Sequence, residues 1–268
     1  METVNDVLAY LDKIAPVKTK MDFDNVGLLV GRTGDAVSKI MLALDITSEV
    51  ISEALDTGAQ LIVAHHPMFF SLKSITDTDT TGSKIIRMLA GGLSAICMHT
   101  NLDAARGGVN DALAVAAGIL RDSDGTAELL AEDGFSPDGE AFSYGRFGRL
   151  KDPLLLSEYM AVLKAALNTN GIRYYDAGKD VYEIAIVGGS GGDQFDHAVA
   201  KGCDTFISAD IKYDLFLEAK ELGINVIDGD HFCTENIVIA PLAEKLRGAF
   251  PDLSIEISQS HKQVAKFF

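Results

Sequence analysis

Tryptophan is absent from the 268 residues and aromatics make up only 7% of them, yet apolar residues reach 47%. That balance is ordinary for a globular protein. A chain of this length can bury a sizeable core, as one large domain or two lobes. No apolar run approaches the roughly 20 residues that a membrane helix needs. The opening Met1-Glu-Thr-Val-Asn-Asp6 carries neither the basic nor the apolar stretch of an export signal. The three cysteines, Cys97, Cys203 and Cys233, form no C-x-x-C pair. A sparse, odd set without an export signal points to reduced thiols and a cytoplasmic location. Basic residues are also scarce, 23 Lys and Arg against 39 Asp and Glu, for a formal net charge of −16. That deficit argues against a nucleic-acid binder, which needs clustered Lys and Arg, and against docking on an anionic membrane surface.

What is present gathers around Leu61-Ile-Val-Ala-His-His-Pro67. Four apolar residues, two of them β-branched, predict a short buried strand. Pro67 cannot donate to a sheet ladder and pushes His66 toward an extended conformation, so the strand ends with both imidazoles at its mouth. Ligands of open α/β sheets bind outside the carboxyl ends of the strands. A single histidine at such a place is ordinarily a capped or core residue; an adjacent pair leaves two polar rings to satisfy.

Along the chain, Val4, Val7, Leu8, Leu11 and Ile14 fall at helical spacing ahead of Pro16. Asp24, Asn25 and Gly27 read as a turn, and Leu28 to Val30 as a strand. Ile40 to Thr47 is a continuous apolar strand of the kind a sheet buried on both faces requires. Glu49 to Thr57 and Lys84 to Ala90 read as helices closed by glycine. Leu93 to Met98 reads as a strand running into His99-Thr-Asn-Leu-Asp103. The 121–140 segment is acidic and glycine-containing, and reads as a surface connection between lobes. Beyond it, Leu154 to Leu167 reads as a helix. Val181 to Val187, Thr205 to Asp210 and Asn225 to Asp228 read as strands, the first entering Gly188-Gly-Ser-Gly-Gly-Asp193. Alternating strands and helices predict a doubly wound α/β architecture. The glycine loop resembles a phosphate cradle, although it matches no standard nucleotide fingerprint, and a tight turn needing positive φ is the simpler reading.

Five residues just past the ends of predicted strands form a metal-ligand set: His65, His66, Asp103, His231 and Glu235. His231 and Glu235 are four apart, one face of a helix, and Thr234 reads as an N-cap. Three imidazoles and two carboxylates exceed what one ion with an open position takes. Two ions about 3.5–4 Å apart fit the count better, and nitrogen and oxygen donors suit Zn, Fe, Mn or Co. His99 reads either as a residue orienting a ligand or as a structural histidine. Asp45 reads as a site carboxylate or a turn residue. Cys233 reads as a buried thiol, and His197 and His261 as surface or core histidines.

In order, Asp24-Asn-Val-Gly-Leu-Leu-Val-Gly31, the His65-His66 strand, His99-Thr-Asn-Leu-Asp103 with Gly-Gly-Val-Asn-Asp111, and His231-x-x-x-Glu235 resemble the Nif-three-like family, also called GTP cyclohydrolase I type 2 homologues. The resemblance runs from about Asp24 to about Leu246. It implies a Nif-three-like fold, two interlinked α/β lobes with mainly parallel sheets. The metal-site lobe is expected over 1–125 plus 222–268 and the second lobe over 141–221. It implies a dinuclear site of two divalent ions on His65, His66, Asp103, His231 and Glu235, with Glu235 the bridge, in a ring-shaped homohexamer. This sequence leaves no room for the extra middle domain of some members. It departs from the family at Phe23, often Trp; at Asp214, often His; and at Asp230, often Gly.

The function so implied is hydrolysis by a metal-bridged hydroxide acting on a small molecule such as the nucleotide GTP, opened at C8 with release of formate. Glu235 or His99 would shuttle protons, and Arg146, Arg149 or the Gly188–Gly192 loop would hold the triphosphate. The same ions suit a dinuclear phosphoesterase. A metal-delivery protein or ligand-binding regulator is the non-enzymatic alternative.

Overall fold

The computed structural model describes residues 1–120 and 127–267 and divides into two compact units. The first comprises 1–102 and 239–262, the second 103–238 and 263–268. The chain therefore builds most of the first unit, passes through the second, returns to the first and ends in the second.

In chain order the elements are α1 (Val4–Ile14), β1 (Gly27–Val30), β2 (Lys39–Ala43), α2 (Ser48–Asp56), β3 (Leu61–Ala64), α3 (Thr80–Ala90), β4 (Ser94–Cys97) and α4 (Thr100–Ala104). There follow α5 (Val109–Ala116), β5 (Glu128–Leu129), β6 (Gly134–Phe135), β7 (Ala141–Phe142), β8 (Arg146–Leu154), α6 (Leu156–Leu167), β9 (Arg173–Tyr175) and β10 (Val181–Ile186). Last come α7 (Phe195–Ala200), β11 (Thr205–Ser208), α8 (Tyr213–Leu222), β12 (Asn225–Asp228), α9 (His231–Asn236), α10 (Ile239–Ala249) and β13 (Ser254–Ile257).

The sheet of the first unit has the order β1-β4-β3-β2-β13 and is parallel except at the β1 edge. Met41, Ala43, Ile62, Ala64 and Ala95 point into a core with Val50, Ile51 and Ala54 of α2 and Ile85 and Met88 of α3. The alternate residues Ile40, Leu42, Leu61, Val63 and Ile96 are buried as well. Both faces of these strands are covered, so they read as unbroken apolar runs rather than alternating ones.

The second sheet has the order β5-β8-β10-β11-β12-β9, with parallel pairing at its centre and antiparallel strands on both sides. Ile184, Ile186, Ile207 and Ile227 pack with α5 and α6 on one face. Ala185, Phe206 and Val226 pack with Phe195, Ala198 and Ala219 on the other. The two faces follow the period of two along each strand.

The expected lobe boundaries at 125 and 222 differ from the division at 102 and 238. Helix α5 packs on α6, α9, β8 and β10, and β12 is hydrogen-bonded inside the second sheet. Of the expected acidic connection, 121–126 lies outside the described residues. Further on, β5 pairs with β8, and β6 with β7. Among the described residues no helix is long and apolar enough to cross a membrane.

Candidate metal centre

In the first unit, β3 ends at Ala64 and delivers His65 and His66, while β4 ends at Cys97 and delivers His99. These strands are neighbours in parallel register, with Ala64 opposite Cys97, so three imidazoles meet at one sheet edge. Their ring centroids are 4.9 Å (His65–His66), 5.2 Å (His65–His99) and 5.5 Å (His66–His99) apart. One nitrogen from each ring lies within 4.8 Å of the others.

Each of these rings has its Nδ1 occupied. His65 Nδ1 donates to the Met98 carbonyl at 2.8 Å. His66 Nδ1 donates to Asp45 Oδ1 at 2.7 Å, and His99 Nδ1 to Asp24 Oδ1 at 2.8 Å. A carbonyl or carboxylate can only accept, so Nδ1 carries a proton in each ring, the tether that metal-binding histidines use when Nε2 is the ligand atom. Asp24 also accepts from the Thr100 N–H at 3.0 Å and the Thr100 hydroxyl. Burial works to raise the pKa of Asp24, but the hydrogen bonds from His99 and Thr100 outweigh it and hold the carboxyl well below the usual range. Asp45 behaves alike: burial opposes ionisation, and hydrogen bonds from His261 and His66 overcome it. His261 Nε2 lies 2.8 Å from Asp45 Oδ2, so Asp45 joins His66 to a histidine 195 residues further along the chain.

In the second unit, the four-residue spacing of His231 and Glu235 falls on α9, and His231 Nε2 lies 3.1 Å from Glu235 Oε2. His231 Nδ1 is again occupied, donating to Asp210 Oδ2 at 2.7 Å. Glu235 is buried. Gly189, at φ +61°, lies against it: a Cβ there would stand 2.0 Å from Glu235 Oε1 and 3.2 Å from His231 Nε2. Only glycine can pass at that distance and that φ. Asp103 lies on α4, with its backbone carbonyl accepting from Asn110 Nδ2 at 3.1 Å.

The donor chemistry suits a divalent ion: three imidazoles with their far side tethered in the first unit, and in the second a tethered imidazole beside a buried carboxylate. The pattern of the Duf34/NIF3 (NGG1p interacting factor 3) family matches residues 2–264. The chain belongs to this family. A Clostridium perfringens relative named GTP cyclohydrolase 1 type 2 homolog is 36% identical over 267 residues, covering 98% of this chain and 99% of that protein. A Clostridium acetobutylicum relative of the same name is 33% identical over 270 residues, covering 98% of each. A Bacillus cereus protein related to NIF3 shares the fold with a TM-score of 0.91 at 22% identity, over 100% of this chain and 99% of the other.

Several residues of this NIF3 chain have a different place from the one their sequence suggests. Arg146 is 1% exposed and its guanidinium is filled by Asp111 and the carbonyls of Ser143, Gly145, Ala104 and Ala105. It has no donor left for a triphosphate. In the glycine loop the N–H groups of Gly188, Gly189 and Gly191 donate to Asn110 Oδ1, Thr234 Oγ1 and Ser208 Oγ. These three amides are spent inside the protein, and Gly189 leaves Glu235 its room. Thr234 does not cap α9: Asp230 does, accepting from the Cys233 N–H at 3.1 Å. Cys233 is buried, which pushes its thiol up to about 12 and leaves it neutral. The residues that the sequence alone does not place in the site are Asp210 and His261; Asp24 reads there as a turn residue, and Asp45 as either a site carboxylate or a turn residue. For the three aspartates the common signal is a carboxylate beside a predicted strand, with no sequence feature naming its partner; His261 carries no such signal.

Proposed function

We propose that the protein is a hydrolase using two divalent ions held by His65, His66, Asp103, His231 and Glu235, with a nucleotide such as GTP as substrate. The observation that carries the reading is the tethering of four imidazoles, His65, His66, His99 and His231, each through Nδ1. Metal-binding histidines are held this way, with the far ring nitrogen donating to a carbonyl or carboxylate. The relatives' names add the suggestion of a cyclohydrolase. Ions bound there would supply Lewis-acid polarisation and water activation at neutral pH.

The chain's own groups do the rest. Asp45 and Asp210 keep His66 and His231 oriented. Gly189 leaves room for Glu235 to approach closely. His99, tethered by an ionised Asp24, presents Nε2 as the site where a proton is held and passed. The homohexamer implied by the family resemblance is part of this proposal, and light scattering on the purified protein reads it as a mass of six chains.

The test is formate release from GTP by protein purified without oxygen and loaded in turn with Mn, Fe and Zn, beside Glu235→Ala. The expected result is metal-dependent formate that disappears in the variant. No formate with any metal, while about two ions per chain stay bound, would remove the cyclohydrolase reading and direct the search to phosphoesters and then to metal delivery.

A further inference from the structure

The Gly107-Gly108-Val109-Asn110-Asp111 stretch opens α5 in the second unit. Asn110 is fully buried. Its carboxamide makes three hydrogen bonds, each to a different segment. Nδ2 donates to the Asp103 carbonyl at 3.1 Å and to the Tyr144 carbonyl at 2.9 Å, and Oδ1 accepts from the Gly188 N–H at 2.8 Å. One side chain thus joins the backbone of Asp103 to the glycine loop that receives Glu235.

The next residue reinforces the same turn. Asp111 accepts from the Gly107 N–H at 2.5 Å and from Arg146 Nε at 2.7 Å. Arg146 Nη2 then donates to the carbonyls of Ala104 and Ala105 at 3.3 and 3.1 Å. Four backbone groups between Asp103 and Gly107 are therefore fixed by three buried side chains. The two carbonyls facing Asn110 need donors and the amide needs an acceptor, a combination that only a carboxamide of this length supplies.

We propose that Asn110 is a positioning residue, supported by the Asp111–Arg146 pair, that sets the Asp103 turn against the Glu235 loop and so fixes the carboxylate half of the metal site. The inference rests on the metal reading above. It adds that metal affinity depends on a side chain with no ligand atom of its own.

A buried asparagine also stabilises the fold, so the test needs a matched control, and the same unit contains one. Asn225 is fully buried too, and its amide donates to the Lys179 carbonyl at 3.0 Å and Thr205 Oγ1 at 3.3 Å and accepts from the Ala177 N–H at 2.9 Å. It starts β12, at the end of the strand opposite His231, and these three bonds reach no segment that carries a proposed ligand.

The experiment compares full-length wild type, Asn110→Ala and Asn225→Ala. Cobalt(II) is titrated into each metal-free protein and followed by bound-metal count and visible ligand-field absorption, with urea unfolding run alongside. Both variants are expected to lose similar stability. Wild type and Asn225→Ala should bind about two cobalt ions per chain with one spectrum. Asn110→Ala should bind about 10–100-fold more weakly, as when a group orienting a ligand is removed, with an altered spectrum. Equal affinity and equal spectra in the two variants overturn the positioning role. If Asn110→Ala does not fold, Arg146→Lys replaces it: the ammonium keeps its charge opposite Asp111 but lacks the planar fork that spans Ala104 and Ala105, and wild-type cobalt binding there overturns the proposal. A wild type that binds no cobalt sinks the metal reading itself, an outcome separate from the others.

Discussion

Asp230 stands at φ +75° and ψ 132°, a backbone conformation that suits glycine and strains other residues. The aspartate gains a cap on α9 through its bond to the Cys233 N–H. Strain of this kind costs on the order of 1–3 kcal/mol, whereas replacing an aspartate cap by glycine costs only a few tenths of a kcal/mol. Strain is the larger effect, so Asp230→Gly is expected to stabilise the protein by about 1 kcal/mol. Urea unfolding at constant slope measures it. A loss of stability in place of a gain would mean that the carboxylate does more than cap α9. The contrast with Gly189 is instructive. There the conformation is also left-handed, but a side chain would run into Glu235, so no polar gain compensates and glycine stands.

Among the elements, α2 holds the last strand's exit. Glu53 accepts from the Ser258 hydroxyl at 2.5 Å, the Gln259 N–H at 2.8 Å, and the Ser260 N–H and hydroxyl at 3.1 and 2.7 Å. The turn so held leads to His261 and from there to Asp45 and His66. Burial acts to raise the pKa of Glu53, but these four bonds overcome it and lower it from 4.5 to about 2. A depressed folded pKa means that the ionised form is favoured by folding. Its contribution is complete above the unfolded value of about 4.5 and is lost as pH falls toward 2. Wild type should therefore exceed Glu53→Gln in urea midpoint at neutral pH, and the gap should close between about pH 4.5 and 2. A gap that persists to pH 2 would assign the effect to hydrogen-bond geometry and not to charge. At this scale much of the fold can be read from the sequence. The runs Ile40 to Ala43, Leu61 to Ala64 and Thr205 to Ser208 are apolar without interruption because helices cover both faces of their sheets. The antiparallel flanks are hidden. Strand β8 contains Lys151, Asp152 and Pro153 and resembles a loop, and β9 has only three residues. The site divides the same way. The spacing of His231 and Glu235 announces a shared helix face, which α9 supplies. The tethers do not announce themselves, because Asp45 finds its partners 21 and 216 residues away and local sequence cannot encode that pairing.

For the whole molecule, the proposed ligands are shared out between two compact units that the chain visits in the order first, second, first, second. An ion that binds only the folded protein stabilises it by RT ln(1 + [L]/Kd), about 2.7 kcal/mol at a hundredfold excess over Kd. For a chain of this size each kcal/mol raises the melting temperature by about 2–4 °C, so saturating Zn or Mn should raise it by about 5–10 °C. The net charge of −16 complicates this, since any cation relieves self-repulsion by screening. Magnesium at equal concentration is the control, because it screens alike but prefers oxygen donors to imidazole. The difference between the Zn and Mg shifts is the part due to the site. Glu235→Ala decides where that part comes from. If both units contribute ligands, the variant loses the Zn-specific shift although His65, His66 and His99 remain intact. If the imidazole cluster of the first unit binds the ion by itself, the variant keeps the shift in full, and the five-residue ligand set is wrong even though metal is bound.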